Sequence, residues 1–240
     1  MRNIFITIII LVVLVIVCCA CQAKPQEETN GELNYDPKRH TIAEMREVFV
    51  GLPESIDDVE KFIIGDNVKH LYGGDCGVIV VCKVAGGSVN RITEPDSDGK
   101  KIYIFDHVVT PIEIVNIIFT GNNISDDISF KEGDIIYLRE DFFYVTEETP
   151  EYLEYYDKNA IIATGYYYPL EKDKLYLIYG HYFLSEENSY NNKPLLLPGI
   201  PSSVYCLSDN NKYESGKRPH QYEILWQEAK DKYGSLVNKD

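Results

Sequence analysis

The run "CGVIVVCKVAGG", Cys76–Gly87, constrains the fold of this chain more than any other segment. Valine and isoleucine lose side-chain freedom in a helix and pack well on a pleated surface. Here they fill consecutive positions without alternation, between glycines, as a central strand buried on both faces requires. The same chemistry continues in "KIYIFDHVVTPIEIVNIIFTGN", where Thr110–Pro111 marks a bend, and in "FKEGDIIYLREDFFYV", which follows a turn at Gly133–Asp134. "NAIIATGYYYPL", "DKLYLIYGHYFL" and "PSSVYCLSD" supply further strands, and Asp98–Gly99 in "SVNRITEPDSDGK" is a hairpin turn. Five or six strands are expected.

Helices are expected at both ends of this region. Asp36–Pro37 reads as an N-cap with proline at the first helical position, leading into "KRHTIAEMREVF" with Ile42, Met45, Val48 and Phe49 on one face. Ser55 and Asp58 form a capping-box variant ahead of "VEKFII", with Gly65 as the stop. A last helix runs from Pro219 to Gly234 and places Tyr222, Leu225, Trp226 and Ala229 at helical spacing. No repeat or second linker divides these segments. The fold class expected is α+β, a sheet curled into a small antiparallel, partly open barrel over residues 37–240.

Ahead of that domain, Ile4–Val17 is a fourteen-residue apolar stretch without a charge, preceded by Arg2. That is the length of a secretory signal and short of the ~20 residues a spanning helix prefers. "VIVCCACQAKP" closes it. Small residues followed by cysteine resemble the lipobox of bacterial exported lipoproteins, in which the cysteine is acylated and becomes the first residue. Ala20 is the small residue before Cys21, whereas bulky Val17 precedes Cys18; Cys19 is the runner-up, and an uncleaved leader is the remaining alternative. Cys18 stands where that motif usually has an aliphatic residue. Residues 1–20 are thus expected to be a signal peptide. Residues 21–36 follow as an acylated cysteine and polar tether, holding the domain on the outer face of the cell membrane.

The succession "GVIVVCKV", "VVTPIEIVNIIFTGN", "FKEGDIIYLRE" and "PLEKDKLYLIYGHYFL" resembles a group of small exported lipoproteins of Gram-positive bacteria, over about residues 76–206. The resemblance implies a barrel related to oligonucleotide/oligosaccharide-binding and netrin-like folds, and it implies no chemistry. Cys82 stands where the family pattern has glycine, and "FTGNN" replaces a basic–acidic turn.

Function classes narrow by charge and by missing motifs. A net charge of −15 repels phosphate backbones, so nucleic acid is not an expected partner. No nucleophile elbow, zinc-protease, P-loop or dinucleotide motif occurs. His40, His70, His107, His181 and His220 show no paired ligand spacing, and the aspartates of "EPDSDGKK" read as a turn and not a calcium loop. No catalytic residue, metal or cofactor is expected. Cys76 and Cys82 lie too far apart on one strand to bond each other. Buried thiols, or a disulfide from Cys206 to Cys76 or Cys82, are the alternatives. Nineteen tyrosines against one tryptophan suit half-exposed sheet surfaces. Tyr166, Tyr168, Tyr176, Tyr179 and Tyr182, on two strands, are the candidate ligand-binding face. The reading is a membrane-anchored, extracytoplasmic module that binds a protein, peptide or glycan without catalysis. The alternative is a cell-envelope enzyme acting on glycan or peptide.

Overall fold

Strand β2, Gly77–Val84, shows why its apolar run does not alternate. Val78, Val80 and Cys82 join one buried cluster, while Ile79 and Val81 join another on the opposite face. The computed structural model that reveals this describes residues 33–46, 53–64, 77–92, 106–121, 131–164, 167, 169–182, 189–191, 193–198, 203–208 and 220–238. The leader, Cys19, Cys21, Cys76, Tyr166, Tyr168 and the Asp98–Gly99 turn lie outside the described residues.

The first cluster is the interior of a closed barrel. Five strands form it: β2; β4, His107–Thr120; β5, Ile135–Glu140; β10, Lys193–Pro198; and β8, Leu175–Tyr182. In space β2 neighbours β4, β4 neighbours β5, β5 neighbours β10, β10 neighbours β8, and β8 returns to β2. Every pairing is antiparallel except β5–β10, which is parallel. The expectation of a partly open, antiparallel barrel is therefore corrected: the sheet is closed and mixed.

Closure depends on Gly180. It sits opposite Pro198, and a Cβ there would lie 2.7 Å from the Leu197 carbonyl oxygen. Only a residue without a side chain lets β10 come so close to β8. The remaining length of that edge of β8 is taken by β11, Val204–Cys206.

Strand β4 runs unbroken through Thr110–Pro111. Its partner on one side changes there from β3, Val89–Arg91, to β2. Pro111 lies at the junction, where no ladder donor is required of it, and its carbonyl accepts the Ala85 N–H at 2.9 Å.

The second cluster lies outside β2, β8 and β11, under two helices. Helix α1, Ile56–Ile64, begins at the Ser55–Asp58 cap and buries Ile56, Val59 and Ile63. A small helix α2, Pro150–Leu153, lies elsewhere. Helix α3, His220–Tyr233, buries the four residues that its spacing singled out: Tyr222, Leu225, Trp226 and Ala229. The Tyr222 hydroxyl donates to the Val204 carbonyl at 2.6 Å, and the Trp226 ring N–H donates to the Cys206 carbonyl at 2.7 Å. Each large apolar side chain buried on this face contributes about 2 kcal/mol.

One expected helix is a strand. Residues after Asp36 make a single turn, in which the Arg39 and His40 N–H groups donate to the Asp36 carbonyl and Lys38 N–H to its carboxylate. The chain then extends into β1, Ile42–Arg46, which pairs in parallel with β7, Ile161–Thr164. The Asp36–Pro37 signal was a real turn signal. The vacant edge of β7 outcompeted the weak helical period beyond it, as tertiary pairing commonly does. On its other side β7 meets β6, Phe142–Tyr144, completing a three-stranded sheet. The segment "IIYLREDFFY" is thus two strands parted at Asp141, one in the barrel and one in the small sheet.

Candidate functional site on the outer face of the barrel

Alternation along β5 divides its side chains. Ile136 and Leu138 point into the barrel core, so Ile135, Tyr137 and Arg139 point outward. The register places Tyr137 beside Pro111 of β4 and Leu195 of β10. Strand β9, Ser189–Tyr190, folds back on β10 and sets Tyr190 opposite Lys193. The rings of Tyr137 and Tyr190 meet edge-to-face with centroids 5.0 Å apart. Arg91, at the end of β3, holds its guanidinium 5.7 Å from the Tyr190 ring centre, and the Lys193 ammonium lies 6.0 Å from that of Tyr137. Two half-buried rings are therefore flanked by two cations, drawn from four strands.

The electrostatics of this face differ from those of the chain. Nearby Arg139 is matched by Asp141 at 3.6 Å, and Lys83 by Glu113 at 3.2 Å. Arg91 and Lys193 have no carboxylate partner within ion-pair distance among the described residues. On a chain of net charge −15, two such cations beside half-buried rings make a local patch of positive charge.

Of the five tyrosines expected to form a ligand face, the three among the described residues do not share one. Tyr176 and Tyr182 are in the barrel interior, and Tyr179 is on the other side of β8 beneath the helices. All three are buried, and the Tyr179 hydroxyl donates to Glu60 at 3.2 Å. Cys82 and Cys206 are buried thiols outside any disulfide. Both align with Tyr176, one on each side of β8, so two strand spacings of about 4.8 Å separate them, beyond the roughly 7 Å limit of a disulfide. The Cys206–Cys82 bond is therefore not formed.

Among the described residues Glu140 is a carboxyl whose pKa is moved far from its ordinary value. It ends β5 pointing inward, 1% exposed. The Thr110 hydroxyl donates to one oxygen. The Tyr167 hydroxyl at 3.1 Å and the Leu170 N–H at 2.9 Å donate to the other. Burial pushes its pKa up to about 7 against these three donors. Burial likewise pushes the Cys82 thiol up, keeping it protonated. No substrate can touch Glu140 in this arrangement; it ties the crossing at Tyr167–Leu170 to the end of the barrel.

A groove of about 510 Å³ runs beside the small sheet, between Arg39, Thr41 and Ala43 and the turn holding Tyr155, Lys158 and Asn159. Its cations are paired: Arg39 with Asp36, and Lys158 with Glu147. Among the described residues no cluster of three or more histidine, cysteine or acidic side chains could hold a metal.

Comparison with known proteins returned no match to any family model, curated protein or solved structure.

Proposed function

We propose that the chain is a lipid-anchored, extracytoplasmic binding module without catalysis of its own, and that it holds its ligand on the Tyr137–Tyr190 face. One observation carries the reading: two half-buried rings flanked by Arg91 and Lys193 on the outside of a closed barrel. The apolar leader, Cys21 and the polar tether support the compartment.

The barrel's order supports a finer assignment, to the oligonucleotide/oligosaccharide-binding or netrin-like type. Counting only the five barrel strands along the chain, the spatial order is first, second, third, fifth, fourth. Barrels of that type bind on the second and third strands and on the loops joining first to second and fourth to fifth. Here those are β4 and β5, with Arg91 in one connection and Tyr190 in the other. The envelope-enzyme reading needs a perturbed titratable group within reach of substrate. The strongly shifted Glu140 is sealed.

The test is capture. Full-length, membrane-derived protein and its Tyr137→Ala/Tyr190→Ala variant are immobilised and exposed to solubilised cell-envelope material. Retention by the first and loss by the second supports the proposal. Equal retention by both refutes it.

A further inference from the structure

We infer that the ligand of this face is an acidic glycan, its sugar rings stacked on Tyr137 and Tyr190 and its anionic groups held by Arg91 and Lys193. The inference rests on the binding reading above and narrows it to a chemical class.

Strand pairing argues first against a peptide. Extended peptides gain most of their affinity by adding a strand to an open sheet edge. Strand β5 is bonded to β4 on one side and β10 on the other, so the ladder at Tyr137 has no open edge. The strands of Arg91 and Tyr190, β3 and β9, each pair on one side only among the described residues. At three and two residues they are too short to take up an extended peptide, so recognition is left to side chains.

The side chains present are two rings and two cations. A tyrosine ring offers a flat apolar surface with a wet hydroxyl, which complements the C–H face and hydroxyl rim of a pyranose. A cation held over a ring keeps its N–H donors for an oxyanion, and such charge-assisted bonds are about twice as strong as neutral ones. Each ring has its own cation, Arg91 over Tyr190 and Lys193 over Tyr137. That arrangement suits anionic groups spaced along a chain of rings better than one compact anion.

Nucleic acid also combines rings with charge, but its phosphates are continuous and require a continuous basic track. Two isolated cations on a chain of net charge −15 do not make one.

The charge could be a carboxylate or a phosphate ester, and the test separates them. Binding of the full-length protein in detergent is measured by calorimetry against four probes. These are a short oligogalacturonate, its fully methyl-esterified counterpart, a sugar-phosphate oligomer of similar length, and inorganic polyphosphate. One or both acidic glycans should bind, with affinity falling as salt rises, and the neutral ester should bind at least about tenfold more weakly. Arg91→Gln/Lys193→Gln should remove that preference and flatten the salt dependence. Tyr137→Ala should abolish binding, with Tyr190→Ala as a second variant should the first not fold. Equal binding of the neutral ester overturns the acidic class while leaving the binding face in place. Polyphosphate binding as tightly as the glycans overturns the sugar class. Binding that survives both tyrosine substitutions, or no binding by any glycan, overturns the inference; the capture experiment then decides separately whether the face binds anything.

Discussion

Glu140→Gln should convert a pH-dependent stability into a flatter one, and its size follows from the burial of one carboxyl. In the unfolded chain this carboxyl titrates near 4.5, and in the folded one near 7. A raised carboxyl pKa means that the folded state binds the proton more tightly. The folded state is therefore favoured at low pH and loses that advantage as pH rises from about 4.5 to about 7. The shift is worth about 3 kcal/mol, at ~1.4 kcal/mol per pH unit. Glutamine keeps the shape and cannot ionise. Its carbonyl oxygen can accept from Tyr167 and Leu170, while its amide donates to Thr110, whose hydroxyl also shares a hydrogen bond with Ser88 at 2.7 Å. The second amide hydrogen has no acceptor among these contacts, a cost that does not vary with pH and so leaves the pH dependence as the readout.

Wild-type stability alone would hide the effect. His181 is buried, and desolvation lowers its pKa from 6.5 to about 4. Its neutral form is the folded one, so stability falls as pH drops from about 6.5 to about 4, opposite in sign and similar in size. The groups around Glu140 are Asp141, Tyr167, Tyr144 and Cys82, whose pKa values are all raised, each mainly by burial. They are common to both proteins. The quantity to measure is therefore the difference between wild type and Glu140→Gln, from denaturant unfolding at a series of pH values in one detergent. That difference should shift by about 3 kcal/mol in favour of the glutamine variant between about pH 4 and pH 8. A difference that stays level within about 0.5 kcal/mol would refute a raised, uncompensated carboxyl at this site.

Gly180→Ala should cost about 2 kcal/mol or more in denaturant unfolding, because its Cβ would meet the Leu197 carbonyl where the barrel closes. Cys82 and Cys206 should escape alkylation in the folded protein and react on unfolding, read by peptide mass spectrometry. Mass spectrometry of the mature N-terminus should find acyl chains on Cys21, and Cys21→Ala should release the protein from the membrane fraction; a mature chain that begins at acylated Cys19 would shift the boundary and keep the anchor.

Barrel strands β2, β4, β5 and β8 were legible because β-branched and aromatic runs between turn residues admit few other readings, whereas β10, a short leucine run between prolines, was not expected. Helix α3 was legible down to its four buried residues, because a 14-residue helix lying on a sheet repeats its apolar spacing without interruption. Strand β1 was not, since Ile42–Arg46 takes its conformation from the edge of β7 more than a hundred residues away. Barrel closure was hidden for the same reason. It rests on the β8–β10 and β5–β10 pairings and on one glycine whose neighbours only the fold defines.

The same distinction separates the tyrosines that were singled out from those that form the site. "LYLIYGHY" drew attention because its aromatic residues are dense, and they are dense because β8 is buried on both faces. Density there reports the joining of two cores. Tyr137 lies in a strand read for its turn and core signals and Tyr190 in a segment that drew no reading; they are joined by a parallel pair that brings β10 beside β5 and by the short β9 return that carries Tyr190 back over it. In a barrel whose central strands are packed on both sides, a binding tyrosine belongs on a strand that alternates. "DIIYLRE" alternates, and its outward residues Ile135, Tyr137 and Arg139 include one ring of the proposed face.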